Sequence, residues 1–172
     1  MQELIKRSKL NVDTVITRLQ LNPKDVLNVY ICGSRLWGTA SYNSDWDVLL
    51  VVKSNPKDKN QKGKASLHSG QDIDATVYTD EEFSKCINEH SFLELVCLWL
   101  PPRYIWKEQL DLKKDFNFNP VALERSILEE TQRDWTISQK YFEKQNPERG
   151  RKTIVHAFRL FLVSMQILEH GC

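Results

Sequence analysis

Residues 32–52 read "CGSRLWGTASYNSDWDVLLVV", and the reading of this stretch decides the fold. An apolar run, "VLNVYI" at 26–31, precedes it, and a second apolar run, Val48–Val52, closes it. Both runs favour extended backbone, and the second, apolar at every position, predicts a strand buried on both faces. Between them stand Gly33, Ser34, Asp45 and Asp47. Carboxylates beside a buried strand cost free energy unless a positive charge shares their space. The stretch therefore predicts a strand, a turn suited to an anion, and a second strand that opens on paired acids.

Working outward, "NVDTVITRLQLN" at 11–22 predicts an amphipathic helix with Val12, Val15, Ile16 and Leu19 on one face, stopped at Asn22-Pro23. Residues 53–64 are rich in Lys, Asn and Pro and read as a loop. "DIDATVYT" at 72–79 alternates Ile73, Ala75 and Val77 with polar residues, so it predicts a third strand, paired with the second. Thr79–Glu82 and Ser91–Glu94 are capping-box patterns that open two helices, the first ending at Asn88. The second is apolar all round, hence buried, and Pro101-Pro102 end it. After a mixed segment, "RYIWKEQLDLKKDFNF", Asn119-Pro120 opens a helix to about Gln145, "NPERG" turns, and a last helix runs from Arg151 to Gly171. The expected division is an α/β domain over 1–112 and a C-terminal helical hairpin over 113–172.

Bulk properties exclude more than they assign. Among 172 residues, 24 Lys and Arg against 23 Asp and Glu leave a net charge of +1, so no global basic field argues for nucleic acid. Cys32, Cys86, Cys97 and Cys172 form no CxxC pair, which argues against zinc and for small buried hydrophobes in a reducing compartment. The N-terminal "MQELIKRSKL" has no apolar signal core, and Phe92–Leu100 is too short to span a bilayer. A soluble, cytoplasmic protein with no membrane partner is the expectation.

The chemistry lies in the combination. Gly33 permits close backbone approach, and Ser34 offers an N–H and a hydroxyl to a phosphate. Asp45 and Asp47, two apart on a strand, point to one face with Cβ atoms roughly 6–7 Å apart. Such a pair holds Mg²⁺, which takes one or two carboxylates plus substrate phosphates. Asp72 and Asp74 are a second such pair on the neighbouring strand. Gly-Ser alone is an ordinary turn, and "SDWD" alone is equally well a turn or helix cap. Together they are the parts of a two-metal phosphoryl or nucleotidyl transfer site.

"GSRLWGTASYNSDWDVLLVV" resembles the signature of the DNA polymerase β-like nucleotidyltransferase superfamily, Gly-Ser followed by Asp-x-Asp on the next strand. "IDATVYTDEEFSKCINEHSFLELVCLW" and "HAFRLFLVSMQILEHG" are similar to a branch of small nucleotidyltransferases in that superfamily. The likeness covers about 25–100 well and 150–171 loosely. It implies a minimal polymerase-β-like fold, a mixed sheet with flanking helices, to which the helical hairpin is appended. It also implies roles: Gly33 and Ser34 hold the triphosphate of a nucleoside triphosphate, ATP foremost. Asp45 and Asp47 bind two Mg²⁺ or Mn²⁺ ions, and a third acid binds one ion and draws the acceptor's proton. Alignment on "DATVY" favours Asp74 for that acid, with Asp72 as competitor. Arg35 is a further phosphate candidate, although an Arg in a first helical turn is commonly solvated.

Lys152, His156 and Arg159 fall on one helical stripe, extended by Gln166 and His170, and read either as nucleotide contacts or as a solvent face. The lysines at 53, 57, 59, 62 and 64 read as a solvated loop before a nucleic-acid contact. Glu94 reads as a helix cap, Trp99 and Trp135 as core, and Trp37 and Trp46 as neighbours of the site. The expected activity is transfer of a nucleoside monophosphate to an acceptor hydroxyl with release of pyrophosphate. By analogy with the superfamily an RNA or tRNA end is the favoured acceptor, before a protein or a small molecule. The alternatives are a non-catalytic, antitoxin-like nucleotide-binding module and a structural α/β protein with acidic turns.

Overall fold

The computed structural model describes residues 10–55, 61–70, 72–114 and 116–170. They divide into two compact units, one from 10–85 with 97–114, the other from 86–96 with 116–170. Residues 86–96 thus group with the helical unit.

The first unit is a mixed sheet with helices. Helix α1 (Val12–Arg18) is capped by the Asn11 side chain, which accepts from the Thr14 N–H at 2.9 Å. It ends before Asn22-Pro23: Gln20 turns left-handed at φ 57°, and the Leu21 N–H returns to the Ile16 carbonyl at 3.0 Å. Strands β1 (Val26–Ile31), β2 (Trp46–Val52), β3 (Lys64–Ser69), β4 (Ile73–Thr79) and β5 (Ile105–Glu108) lie in the order β3-β4-β2-β1-β5. β2 and β4 are parallel and the other pairs antiparallel. Val48, Leu49, Leu50 and Val51 are all buried, as a continuous apolar run in a central strand requires.

One sheet face packs on α1, with Val15, Ile16 and Leu19 against Val29, Leu50, Ala75 and Val77. Elsewhere Tyr30 and Tyr78 meet Phe83 of helix α3 (Asp80–Asn88), whose Glu82 N–H is capped by the Thr79 hydroxyl. Helix α4 (Phe92–Leu98) buries Phe92, Leu95, Cys97 and Leu98. Glu94 is also buried, and the Phe92 N–H is taken by Glu130 Oε1 at 3.3 Å. Cys32, Cys86 and Cys97 are buried, as expected of small hydrophobes, and Cys172 lies outside the described residues.

Two strands have no clear signature in the sequence. β3 carries only Ala65 and Leu67 as apolar residues, and alternates exposed with half-buried positions at the sheet edge. β5, four residues in the mixed segment, pairs with β1. Asn28 ties them together: its Nδ2 donates to the Tyr30 hydroxyl and the Leu110 carbonyl, while its Oδ1 accepts from the Gln109 and Leu110 N–H groups. Because Asn28 is fully buried, Asn28→Ala leaves several polar groups unpaired. The expected loss is about 3 kcal/mol in urea unfolding, with the denaturant slope unchanged.

The second unit centres on helices α5 (Pro120–Glu143) and α6 (Pro147–His170). Asn119 caps α5 from its side chain, with Pro120 in the first turn as read from the sequence. α6 starts at Pro147 instead of Arg151, because Asn146 accepts from the Arg149 N–H and so begins the helix within "NPERG". Gly150 lets the hairpin close, since a Cβ there would lie 2.9 Å from the Phe142 ring. The closing Gly171 lies outside the described residues. Trp99 and Trp135, expected in the core, are exposed instead, at 43% and 53%. Among the described residues no helix is long and apolar enough to cross a membrane.

Candidate metal and nucleotide site

Parallel pairing of β2 with β4 sets Asp47 directly beside Asp74. Both strands are pinned at this end. The Cys32 N–H donates to the Asp47 carbonyl, and the Trp46 N–H to the Asp72 carbonyl, each at 2.8 Å. Asp45 precedes β2 in an exposed turn built on Ser41 and Ser44. One ligand atom from each of Asp45, Asp47 and Asp74 lies within 4.8 Å of the others, close enough to converge on a cation.

Gly33 opens the single-turn helix α2 (Gly33–Leu36) at φ +59°, and a Cβ on it would sit 1.8 Å from Asp47 Oδ2. Only glycine meets both requirements. The Ser34 N–H bonds to the Asp47 carboxylate, whereas the Ser34 hydroxyl is buried and has no hydrogen-bond partner among the described residues. Burial pushes the Asp47 carboxyl above its ordinary range, and the neighbouring Asp45 charge pushes it further. The Ser34 N–H opposes this, so the site holds negative charge at a cost.

Arg35 is committed to the loop that carries Asp45. Its guanidinium donates to the Ser44 carbonyl at 2.8 Å and the Asp45 carbonyl at 3.2 Å, and lies 3.8 Å over the Trp46 ring. Trp46 in turn packs on Trp106 at 5.3 Å. Arg35 and Trp46 therefore brace the turn and shape the acid cluster from beneath.

Asp72 is drawn elsewhere. Arg18 grips it with two nitrogens, at 3.0 and 2.5 Å, and also donates to the Ser69 carbonyl. Asp74 has a different partner, His68 of β3, whose Nδ1 lies 3.2 Å from its Oδ1. Sequence reasoning missed His68, because the strand that carries it has too few apolar residues to be read. The i, i+2 spacing of Asp72 and Asp74 could not separate them either, since each points to the same side.

Lys152, His156 and Arg159 belong to the helical unit. Lys152 pairs with Glu148 at 2.9 Å, and His156 Nδ1 with the buried Asp134 at 2.7 Å. Desolvation pushes the Arg159 guanidinium below its ordinary range. Of the lysines read as a loop, Lys64 is the first residue of β3 and lies 4.6 Å over the Tyr78 ring, and Lys57 and Lys59 fall outside the described residues. Chemically, the first unit offers clustered carboxylates, a backbone turn without Cβ, and an orphaned hydroxyl. That set suits a divalent cation with a phosphate. No protein-family model and no curated protein matches the chain.

Proposed function

We infer that the chain is a metal-dependent nucleotidyltransferase, which moves a nucleoside monophosphate from a nucleoside triphosphate, ATP foremost, to an acceptor hydroxyl and releases pyrophosphate. One observation carries this reading: Asp45, Asp47 and Asp74 converge within 4.8 Å beside a glycine with no room for a Cβ. Like charges held this close raise one another's cost of ionisation, and a bound cation removes that cost. The Gly-Ser…Asp-x-Asp spacing, which resembles the polymerase β-like superfamily, supports the same assignment.

Asp45, Asp47 and Asp74 would hold two Mg²⁺ or Mn²⁺ ions. Bound there, such ions neutralise charge on the phosphates and on the leaving pyrophosphate. Gly33, having no Cβ, gives the Asp47 carboxylate the space that it occupies, and the unpartnered Ser34 hydroxyl supplies a donor for a triphosphate oxygen. Asp74 takes the proton of the attacking hydroxyl on a carboxylate oxygen, held in place by His68. Arg35 keeps the Asp45 turn closed. An RNA or tRNA end is the favoured acceptor by analogy with the superfamily, with a protein or a small molecule as the other acceptors to test.

The test is incubation with each α-labelled nucleoside triphosphate, Mg²⁺ or Mn²⁺, and pools of RNA, protein and metabolites. Label is expected on one pool, and none with Asp45→Ala/Asp47→Ala. Transfer that persists in the double variant refutes the site. Binding of the triphosphate without turnover would identify a non-catalytic module instead.

The two acids on and before β4 should behave differently. Asp72→Ala is expected to cost about 0.5 kcal/mol, because the pair with Arg18 is partly exposed and screened. It should leave the Mg²⁺-induced rise in melting temperature intact, whereas Asp74→Ala should remove it. Thermal melts with and without Mg²⁺ check both; loss of the rise in Asp72→Ala would reverse the assignment.

A further inference from the structure

The helical unit carries a surface that nucleotide chemistry does not use. On α5, Val121, Leu128, Trp135 and Phe142 recur every seven residues and are 41–73% exposed. On α6, Val155, Phe158, Leu162 and Met165, with Phe161 beside them, are 37–63% exposed. The contacts Asp134–His156 and Phe142–Gly150 show the two helices antiparallel. At about 100° per residue, the α5 row lies about 100° and the α6 row about 120–135° from its own helix's buried positions, in the same rotational sense. In an antiparallel pair that puts both rows on one side of the hairpin. On that side nine large apolar side chains stand 37–73% exposed, where an ordinary surface carries such residues singly.

The pattern on α6 names the occupant. Arg151, Val155, Phe158, Leu162, Met165 and Glu169 follow one another at intervals of 4, 3, 4, 3 and 4 residues, a series that reads the same in both directions. We propose that this face binds a second copy of the chain, with the two α6 helices antiparallel about a two-fold axis near residue 160. Phe158 then meets the partner's Leu162, Val155 meets the partner's Met165, and Arg151 meets the partner's Glu169. These are the alternating layers of an antiparallel coiled coil, closed at each end by an ion pair. The α5 rows extend the contact into a four-helix bundle. The stripe of Lys152, His156 and Arg159 lies about 130° round α6 and stays uncovered.

Sedimentation equilibrium and light scattering of the full chain at ~1–100 μM test this. The mass is expected to rise with concentration from 20.2 kDa to twice that value. Phe158→Glu, at a position 63% exposed, should keep its far-UV circular dichroism and remain a monomer throughout. Arg151→Glu and Glu169→Arg should each weaken the dimer about ten-fold, since each changes two attractive pairs into repulsive ones. The two changes in one chain should restore it. A wild-type monomer at ~100 μM, a dimer that survives Phe158→Glu, or failure of the double reversal to restore association overturns the proposal.

Discussion

Asp47→Asn is expected to stabilise the metal-free protein and to impair the nucleotidyl transfer proposed for it. Asp47 faces Asp45 and Asp74 within 4.8 Å, is half-buried, and has its carboxyl pushed up by desolvation and by the Asp45 charge. Removing one charge relieves repulsion of about 1 kcal/mol, which at this chain length is about 2–4 °C. The Ser34 N–H keeps an oxygen to bond, so the turn survives the change. A carboxyl raised in the folded state binds its proton more tightly there than in the unfolded chain. Its stabilising contribution is therefore full below the ordinary carboxyl range, and is lost as pH rises through the raised value. Metal-free wild type should weaken over that window and Asp47→Asn should not. Adding Mg²⁺ should reverse the order, because the cation rewards the ionised carboxylate. Nucleotidyl transfer should fall about 10³-fold, equal to about 4 kcal/mol of lost transition-state stabilisation. Paired melts across pH, with and without Mg²⁺, read all of this. A destabilised apo variant that keeps its response to Mg²⁺ would sink the reading of Asp47 as a metal ligand.

Gly33→Ala should damage the same site from the opposite side. Its φ of +59° costs a residue with a Cβ about 1–2 kcal/mol, and that Cβ would sit 1.8 Å from Asp47 Oδ2. The carboxylate has to move by an ångström or more, which is expected to lower transfer about 100-fold or further. Gly38→Ala separates strain from displacement. Gly38 also has positive φ, at +67°, but a Cβ there meets nothing within 4 Å. It should lose about 1 kcal/mol of stability and keep its activity. Equal activity loss in both variants would mean that backbone strain, and not the crowding of Asp47, is what matters.

Much of this geometry was legible in the chain. Gly33, Ser34, Asp45 and Asp47 sit at a spacing that only a strand–turn–strand unit brings together, and the apolar run after Asp47 marks a central strand. The capping residues Asn119 and Thr79 were equally plain, because a cap acts within its own turn. The edge strands were not. β3 and β5 bury too little to demand a run of large apolar residues, and they exist through pairing with β4 and β1. Trp99 and Trp135 misled for a related reason: helical spacing says which side chains share a face, not whether anything covers it.

The sequence by itself determined β1, β2 and β4 and the turn that opens at Gly33, since these follow from local periodicity and from Gly33's backbone freedom. The choice between Asp72 and Asp74 as third member of the acid cluster belonged to the tertiary structure. Their i, i+2 spacing gives both acids one side of a strand, so the sequence does not separate them. Arg18, 54 residues distant, captures Asp72, and the parallel register of β2 and β4 sets Asp74 beside Asp47. Such pairings depend on contacts between distant segments, and no local pattern of side chains encodes them.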